Sequence, residues 1–214
     1  MFKSILCLNG LLPNKNTIKT LAKDSKIMIA ADGAANKLIR KNIVPSYIIG
    51  DLDSLDTKQS WVNSKIINIQ DQNTTDFEKC IDYINTNMLF PTLVLGINGG
   101  EIDHIIDNLN KFIKYSSTIP MMFFDMPNKW GIAMTRTLLI NTELSNIVSI
   151  FPFLQNTHLK SQGLQWELNS DEHSILQNTS TRNKTTTKNA IIQSSHDSVL
   201  VITESKKVPF KFLD

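Results

Sequence analysis

A chain of 214 residues, 41% of them hydrophobic and 20% charged, can bury a core without disulfide or metal staples, as one large domain or two small ones. A formal net charge of +2, with 22 basic and 20 acidic residues scattered rather than blocked, argues against a nucleic-acid binder. No stretch reaches membrane-spanning length, and the N-terminal apolar run is too short for a signal-peptide core. The two cysteines, Cys7 and Cys80, sit in apolar patterns as small buried hydrophobes. Together these features predict a soluble cytoplasmic protein without disulfides.

The first part of the chain alternates strand-like and helix-like segments. Ser4–Leu8 reads as a strand, and Ile18, Leu21 and Ala22 give 17–23 a helical spacing. Ile27-Met28-Ile29-Ala30-Ala31 is a near-continuous apolar run, as expected of a parallel strand buried on both faces. Asp32-Gly33 ends it, and Ala34–Lys41 reads as a helix. The run Tyr47-Ile48-Ile49 is a further strand, closed by Gly50 and followed by Asp51-Leu52-Asp53-Ser54. Residues at i and i+2 of an extended chain share a face, so Asp51 and Asp53 can converge on one point. Two crowded acids repel unless a cation lies between them, and a hard, oxygen-loving ion such as Mg²⁺ suits them.

Ile66–Ile69 is a short strand. Thr75-Asp76-Phe77-Glu78 then fits a capping box, with Phe77, Cys80, Ile81 and Ile84 on one helical face. Thr92-Leu93-Val94-Leu95 is a buried strand closed by Gly96. After Gly99-Gly100, the residues Ile102, Ile105, Ile106, Leu109, Phe112 and Ile113 mark one face of another helix, and Met121–Phe124 is a last strand. The expected result is an α/β domain over residues 1–125: an open, mainly parallel, Rossmann-like sheet with helices on both faces.

The pattern changes near residue 126. Short strand candidates recur at 131–134, 137–140, 147–151, 163–168, 173–176, 190–193, 199–203 and 208–212, joined by Asn-, Ser- and Thr-rich connectors. This predicts an all-β sandwich over 126–214. Asn178–Asn189 is expected to be its longest loop. Alternation would put Leu164, Trp166 and Leu168 on one strand face, and Trp61 and Trp130 read as packing residues.

In open α/β sheets, ligands bind outside the carboxyl ends of the strands. Four acidic or glycine-rich stretches fall there: 30–34 with Asp32 and Gly33, 50–54 with Asp51 and Asp53, 71–76 with Asp76, and 96–104 with Gly99, Gly100, Asp103 and His104. Glycines let backbone N–H groups approach phosphate oxygens, and helix starts favour anions. Mg²⁺ turns repulsion between carboxylates and phosphates into attraction. The edge therefore reads as a site for a metal-bound nucleotide. Lys79, one turn from Asp76, can meet a phosphate as a point charge or pair with Asp76. No P-loop and no G-x-G-x-x-G after a strand is present.

These stretches resemble the thiamine pyrophosphokinase family. The matching pieces are Ala31-Asp32-Gly33-Ala34-Ala35 with Leu38, Pro45–Ser54 with its G-D-x-D-S, Asp71-Gln72 with Thr75–Cys80, and Gly99-Gly100 with Asp103-His104 and Asn108. In the second half, Gly163–Leu168 resembles the family's G-L-x-W-x-L strand, and Ser180-Thr181-Arg182-Asn183 its S-x-S-N segment. The resemblance implies transfer of diphosphate from ATP to the hydroxyl of thiamine, giving thiamine diphosphate and AMP, with Mg²⁺, in a homodimer.

By the resemblance, Asp51, Asp53 and Asp76 handle metal and phosphate. For the reaction so implied, a nearby carboxylate, Asp76 or Asp103, would accept the hydroxyl proton. Asp32, Gly33, Lys79, Gly99, Gly100, His104 and Asn108 would serve the nucleotide. Trp166 would stack on thiamine at the dimer interface, beside Ser180 and Asn183. An indole face suits a cationic aromatic ligand, by roughly 0.5–2 kcal/mol. The chain departs from the family where Ser46 precedes the strand, where Glu101-Ile102 replaces an arginine, and where Arg182 replaces a serine. A pterin-type heterocyclic alcohol as acceptor, or a non-catalytic thiamine or nucleotide binder, are the alternatives.

Overall fold

The structure, a computed structural model, describes residues 2–56, 58–134, 136–195 and 198–213, with only the backbone of 170–172. Two compact units divide the chain: Met1–Tyr115 with Ile119–Asp125, and Ser116–Thr118 with Met126–Asp214.

In the first unit the elements run β1 (Ser4–Cys7), α1 (Lys15–Leu21), β2 (Ile27–Ala31), α2 (Ala34–Arg40), β3 (Tyr47–Gly50), β4 (Lys65–Asn68), α3 (Asp76–Thr86), β5 (Thr92–Leu95), α4 (Ile102–Ser116) and β6 (Met121–Asp125). The strands lie in the order β6-β5-β1-β2-β3-β4, and every neighbouring pair is parallel. The chain winds outward one way from β1 to β4 and the other way from β5 to β6. The reversal between β1 and β5 is where an open sheet leaves a crevice at its carboxyl end. β1 and β5 are buried at every position, which is why their sequences are apolar without alternation. β4, at the sheet edge, is largely exposed. Cys7 and Cys80 are free and fully buried.

Thr75 caps α3 as the sequence requires, accepting from Glu78 N while Glu78 reaches back to Thr75 N. Phe77, Cys80, Ile81 and Ile84 are buried beneath it. α4 differs from expectation. Its last turns bury Phe112 and Ile113, but Ile102 and Ile106 are 69% and 62% exposed. The apolar stripe is therefore longer than the part of α4 that meets the core.

The second unit holds β7 (Lys129–Met134), β8 (Thr137–Asn141), β9 (Ile147–Pro152), β10 (Thr157–Gln162), β11 (Asn169–His173), β12 (Ser180–Lys184), β13 (Asn189–Ser194), β14 (Val199–Glu204) and β15 (Phe210–Leu213). Two antiparallel rows form, β12-β9-β14-β7 and β11-β10-β13-β8-β15. Alternate residues face inward: Leu138 and Ile140, Val148 and Ile150, Ala190 and Ile192 are fully buried. Trp130 is buried as a packing residue, and its indole N–H donates to Ser205 O at 3.0 Å.

Three expectations fail here. Gly163–Leu168 is not a strand but a turn with one isolated bridge, Leu164 to Thr185. Gly163 sits at φ +88, and the Glu167 carboxylate accepts from Gly163 N at 2.7 Å and Leu164 N at 3.0 Å. A carboxylate satisfying two successive amides closes a turn that alternation cannot reveal. Leu164 and Leu168 are consequently buried while Trp166 is 56% exposed, so the three do not share a face. The stretch 178–189 is not one loop, because β12 pairs with β9 across a bulge between Ser180 and Asn183. The strand expected at 173–176 ends at His173, and a turn follows.

Candidate active site

At the end of β2, Asp32 turns away at φ +34 and is 2% exposed. Its Oδ2 accepts from Ser54 N at 3.1 Å, and its Oδ1 is buried with no partner among the described residues. Gly50 closes β3 beside it. A Cβ there would lie 2.7 Å from Asp32 Cβ and 3.0 Å from Asp76 Oδ1, so glycine is what lets the acids close in. Past Gly50, Asp51 Oδ1 accepts from Asp53 N at 3.4 Å, and Asp51 Oδ2 from Gln72 Nε2 at 3.1 Å. Ser54 Oγ donates to Asp53 Oδ1 at 2.9 Å.

Lys79 rises from the first turn of α3, only 4% exposed. Its Nζ lies 3.1 Å from Asp76 Oδ1 and 3.7 Å from Asp51 Oδ2. The alternative of a solvated surface pair is thereby excluded: the ammonium is desolvated and bridges Asp51, just past β3, and Asp76, the first residue of α3.

Carboxylate oxygens of Asp32, Asp51 and Asp53 all lie within 4.8 Å of one another. This is an oxygen-only donor set, and the idle Oδ1 of Asp32 is a buried acceptor awaiting a partner. Both features fit a hard divalent cation such as Mg²⁺. The expected metal acids were Asp51, Asp53 and Asp76; the geometry groups Asp32 with the first two, while the Asp76 carboxylate faces Lys79.

The electrostatics follow. Burial, reinforced by the Asp76 and Asp53 charges and opposed by the Ser54 N–H, pushes the Asp32 carboxyl up to about 6. The Gln72 hydrogen bond first, then the Asp53 N–H and the Lys79 charge, hold Asp51 below the usual carboxylate range. Burial alone would lower Lys79, but Asp76, Asp51 and Asp71 outweigh it and raise the ammonium's pKa.

A cavity of about 600 Å³ opens over this edge, within the first unit. Asp32, Gly33, Asp51, Asp76, Lys79, Gly99, Gly100, His104 and Asn108 all line it. Gly99 and Gly100, at φ +95 and +100, form a turn that a side chain would strain. Asp53 belongs to the acid cluster but not to the lining. Asp103 is exposed, lies outside the lining, and accepts from His104 N at 2.8 Å at the start of α4.

Sequence reasoning missed Asn9, Gly10 and Asp107, which also line the cavity. Asn9-Gly10 follows β1 as Asp32-Gly33 follows β2, so the strand-end rule applied once more would have found it. Gln72 was noted only for its resemblance; its grip on Asp51 needed the structure.

In the second unit, one residue gathers the other expected group. Asn183 is 1% exposed. Its Nδ2 donates to Trp166 O at 2.7 Å and Ser180 Oγ at 3.0 Å, and its Oδ1 accepts from Trp166 N at 3.2 Å and Lys184 N at 2.8 Å. The amide fixes the Trp166 backbone and leaves its indole exposed.

Residues 18–123 match the family model described as thiamin pyrophosphokinase, catalytic domain. The chain is similar to thiamin pyrophosphokinase 1 of Caenorhabditis elegans, 29% identical over 201 residues that cover 87% of this chain and 83% of that one. It is also similar to thiamine pyrophosphokinase 2 of Arabidopsis thaliana, 31% identical over 57% of this chain and 55% of that one. Among solved structures, thiamin pyrophosphokinase from Candida albicans superposes with a TM-score of 0.80 at 20% identity, covering 95% of this chain and 90% of that one. The yeast enzyme gives 0.80 at 22%, covering 94% and 86%. At such identities the superpositions speak for the fold.

Proposed function

The chain belongs to the thiamin pyrophosphokinase family, and from that premise we propose that it transfers diphosphate from ATP to the hydroxyl of thiamine, releasing AMP. The observation that carries this reading is the convergence of Asp32, Asp51, Asp76 and Lys79 on one cavity rimmed by Gly33, Gly99 and Gly100. Such a cavity can neutralise and cradle a polyphosphate.

The thiamine hydroxyl oxygen attacks the β-phosphorus, the bond from that phosphorus to the α–β bridging oxygen breaks, and AMP leaves with the electron pair. The chain's task is positioning and charge balance. Lys79 holds Asp51 and Asp76 and offers positive charge to the phosphates. Asp76, on the cavity wall, is our choice over the exposed Asp103 to accept the hydroxyl proton. Asp51 and Asp53, with Asp32 beside them, would hold Mg²⁺. When bound, that ion supplies charge neutralisation between carboxylates and phosphates.

We assign nucleotide binding to the first unit, residues 1–125, with a Rossmann-like sheet, and thiamine recognition to the β-sandwich of 126–214. There the exposed Trp166 indole stacks on the thiamine ring beside Ser180 and Asn183. A cytoplasmic homodimer completes the proposal. The exposed Ile102 and Ile106 of α4 support the pairing, and the two free, buried cysteines support the compartment.

The test is a purified-protein assay with thiamine, ATP and Mg²⁺. AMP and thiamine diphosphate are expected in equal amounts. ADP as the nucleotide product, or no product at all, sinks the proposal.

A further inference from the structure

A cation that the proposed chemistry does not use lies one layer behind the cavity. Lys37, on the inner half of α2, is partly buried, and its Nζ donates to Asn9 O and to Gly10 O, the latter at 2.9 Å. Among the described residues no carboxylate is in ion-pair range of it. Burial, and then the neighbouring Arg40, push its pKa below the usual lysine range. A partly desolvated ammonium with carbonyls as its partners carries a cost, and so marks a place where the fold needs what it holds.

What it holds is the turn after β1. With both carbonyls drawn toward α2, the amides of that turn face the other way. Gly10 N then donates to Gly96 O at 3.1 Å and Leu11 N to Asn98 O at 2.6 Å. Lys37 thus ties the loop after β1 to α2, and that loop is tied in turn to the one after β5, across the reversal point of the sheet. The same clamp sets the Asn9 side chain. Its Nδ2 lies so near Gly33 that a Cβ there would sit 2.7 Å away. Asn9, Gly10 and Gly33 form one wall of the cavity.

We propose that Lys37 is a positioning residue for the nucleotide: it fixes the Asn9–Gly10 wall and places an uncompensated positive charge behind it. This inference rests on the nucleotide reading of the cavity.

Calorimetric titration with a non-hydrolysable ATP analogue and Mg²⁺ tests it, using wild type, Lys37→Met, Lys37→Arg, Asn9→Ala and the Lys37→Met/Asn9→Ala double variant, with a thermal melt of each. Lys37→Met is expected to weaken analogue binding about tenfold, the scale of one charge-assisted hydrogen bond. Lys37→Arg should stay within about threefold of wild type, since it keeps charge and donors. Asn9→Ala should add little in the Lys37→Met background, because the two act through one wall. In turnover, Lys37→Met should raise the KM for ATP and leave the KM for thiamine unchanged. Wild-type affinity in Lys37→Met overturns the proposal and leaves the nucleotide reading standing. A large melting loss shared by Lys37→Arg also overturns it, in favour of a purely structural clamp. A wild type that binds no nucleotide removes the reading and this proposal together.

Discussion

Asp32 and Asn183 are both buried polar residues at the centre of a candidate site, and they are satisfied to opposite degrees. Asn183 uses its full hydrogen-bonding capacity, two donations and two acceptances, on the chain around it. Asp32 has one oxygen held by Ser54 N and the other idle. A fully satisfied buried amide is scaffolding: it spends its chemistry on shape and presents another group, here the Trp166 indole. A half-satisfied buried carboxylate, beside two more acids, is chemistry held in reserve for a ligand. On the proposed reading, the first unit roots its acid cluster in the buried Asp32, and the second presents the exposed Trp166 indole on a rigid mount.

The contrast is broken most forcefully at the acids. Asp51→Asn and Asp53→Asn should each cut AMP formation by about a hundred- to a thousandfold, the scale of removing one preorganised electrostatic group. Asp51→Asn should also lower the melting temperature slightly, because Gln72, the Asp53 N–H and Lys79 favour the ionised carboxylate in the folded chain, while Asp53→Asn, at an exposed position, should leave it nearly unchanged. A steady-state assay beside a thermal melt decides. Unchanged rates would falsify the role given to this edge. Asn183→Ala should behave in reverse. It strands the Trp166 N–H and carbonyl, costing about 1–3 kcal/mol of stability. The KM for thiamine should rise while the nucleotide analogue still binds.

The same contrast explains what the sequence could show. The parallel strands were legible because burial on both faces leaves runs such as Ile27–Ala31, and the capping box at Thr75 because its residue types are local. Asp51 and Asp53 announced themselves as a pair. Asp32 was legible as a strand-end acid, but its place among them depends on a Gly50 contact that only the folded sheet makes. The β-rich unit was legible wherever one face is apolar, as in β9. It was opaque where polar side chains do the folding. β12 reads Ser-Thr-Arg-Asn-Lys and is a strand only by pairing with β9. Gly163–Leu168 alternates like a strand and is a turn because Glu167 satisfies its amides. Trp166 was identified by resemblance, but its exposure follows from that turn.

A smaller effect sharpens the scaffold half of the comparison. Trp166→Ala removes an exposed ring, so the melting temperature should barely move, in line with surface changes of about 0.5 kcal/mol or less. The KM for thiamine should rise about tenfold, matching loss of a stacked cation–π contact. Trp166→Phe should recover part of it. A strong loss of stability instead would mean that the indole packs rather than recognises.

The smallest effect concerns Asp32 and has a definite sign. Its carboxyl is raised from 3.8 to about 6 in the folded chain, burial being the main cause. Between those values the folded state binds the proton that the unfolded state has released. Stability from this group is therefore fully present below about pH 4 and is lost as pH rises through about 6. In metal-free protein, Asp32→Asn should flatten that part of the stability profile and leave the variant more stable than wild type by a few °C at pH 7, on the scale expected for a chain of this length. Other carboxylates titrate in the same range, so the difference between wild type and variant is what must be measured. Adding Mg²⁺ at pH 7 should raise the melting temperature of wild type, since a cation satisfies the ionised Oδ1, and should raise that of Asp32→Asn by less. Equal Mg²⁺ shifts in the two would remove Asp32 from the cation's ligands and return the pair Asp51 and Asp53 to acting alone.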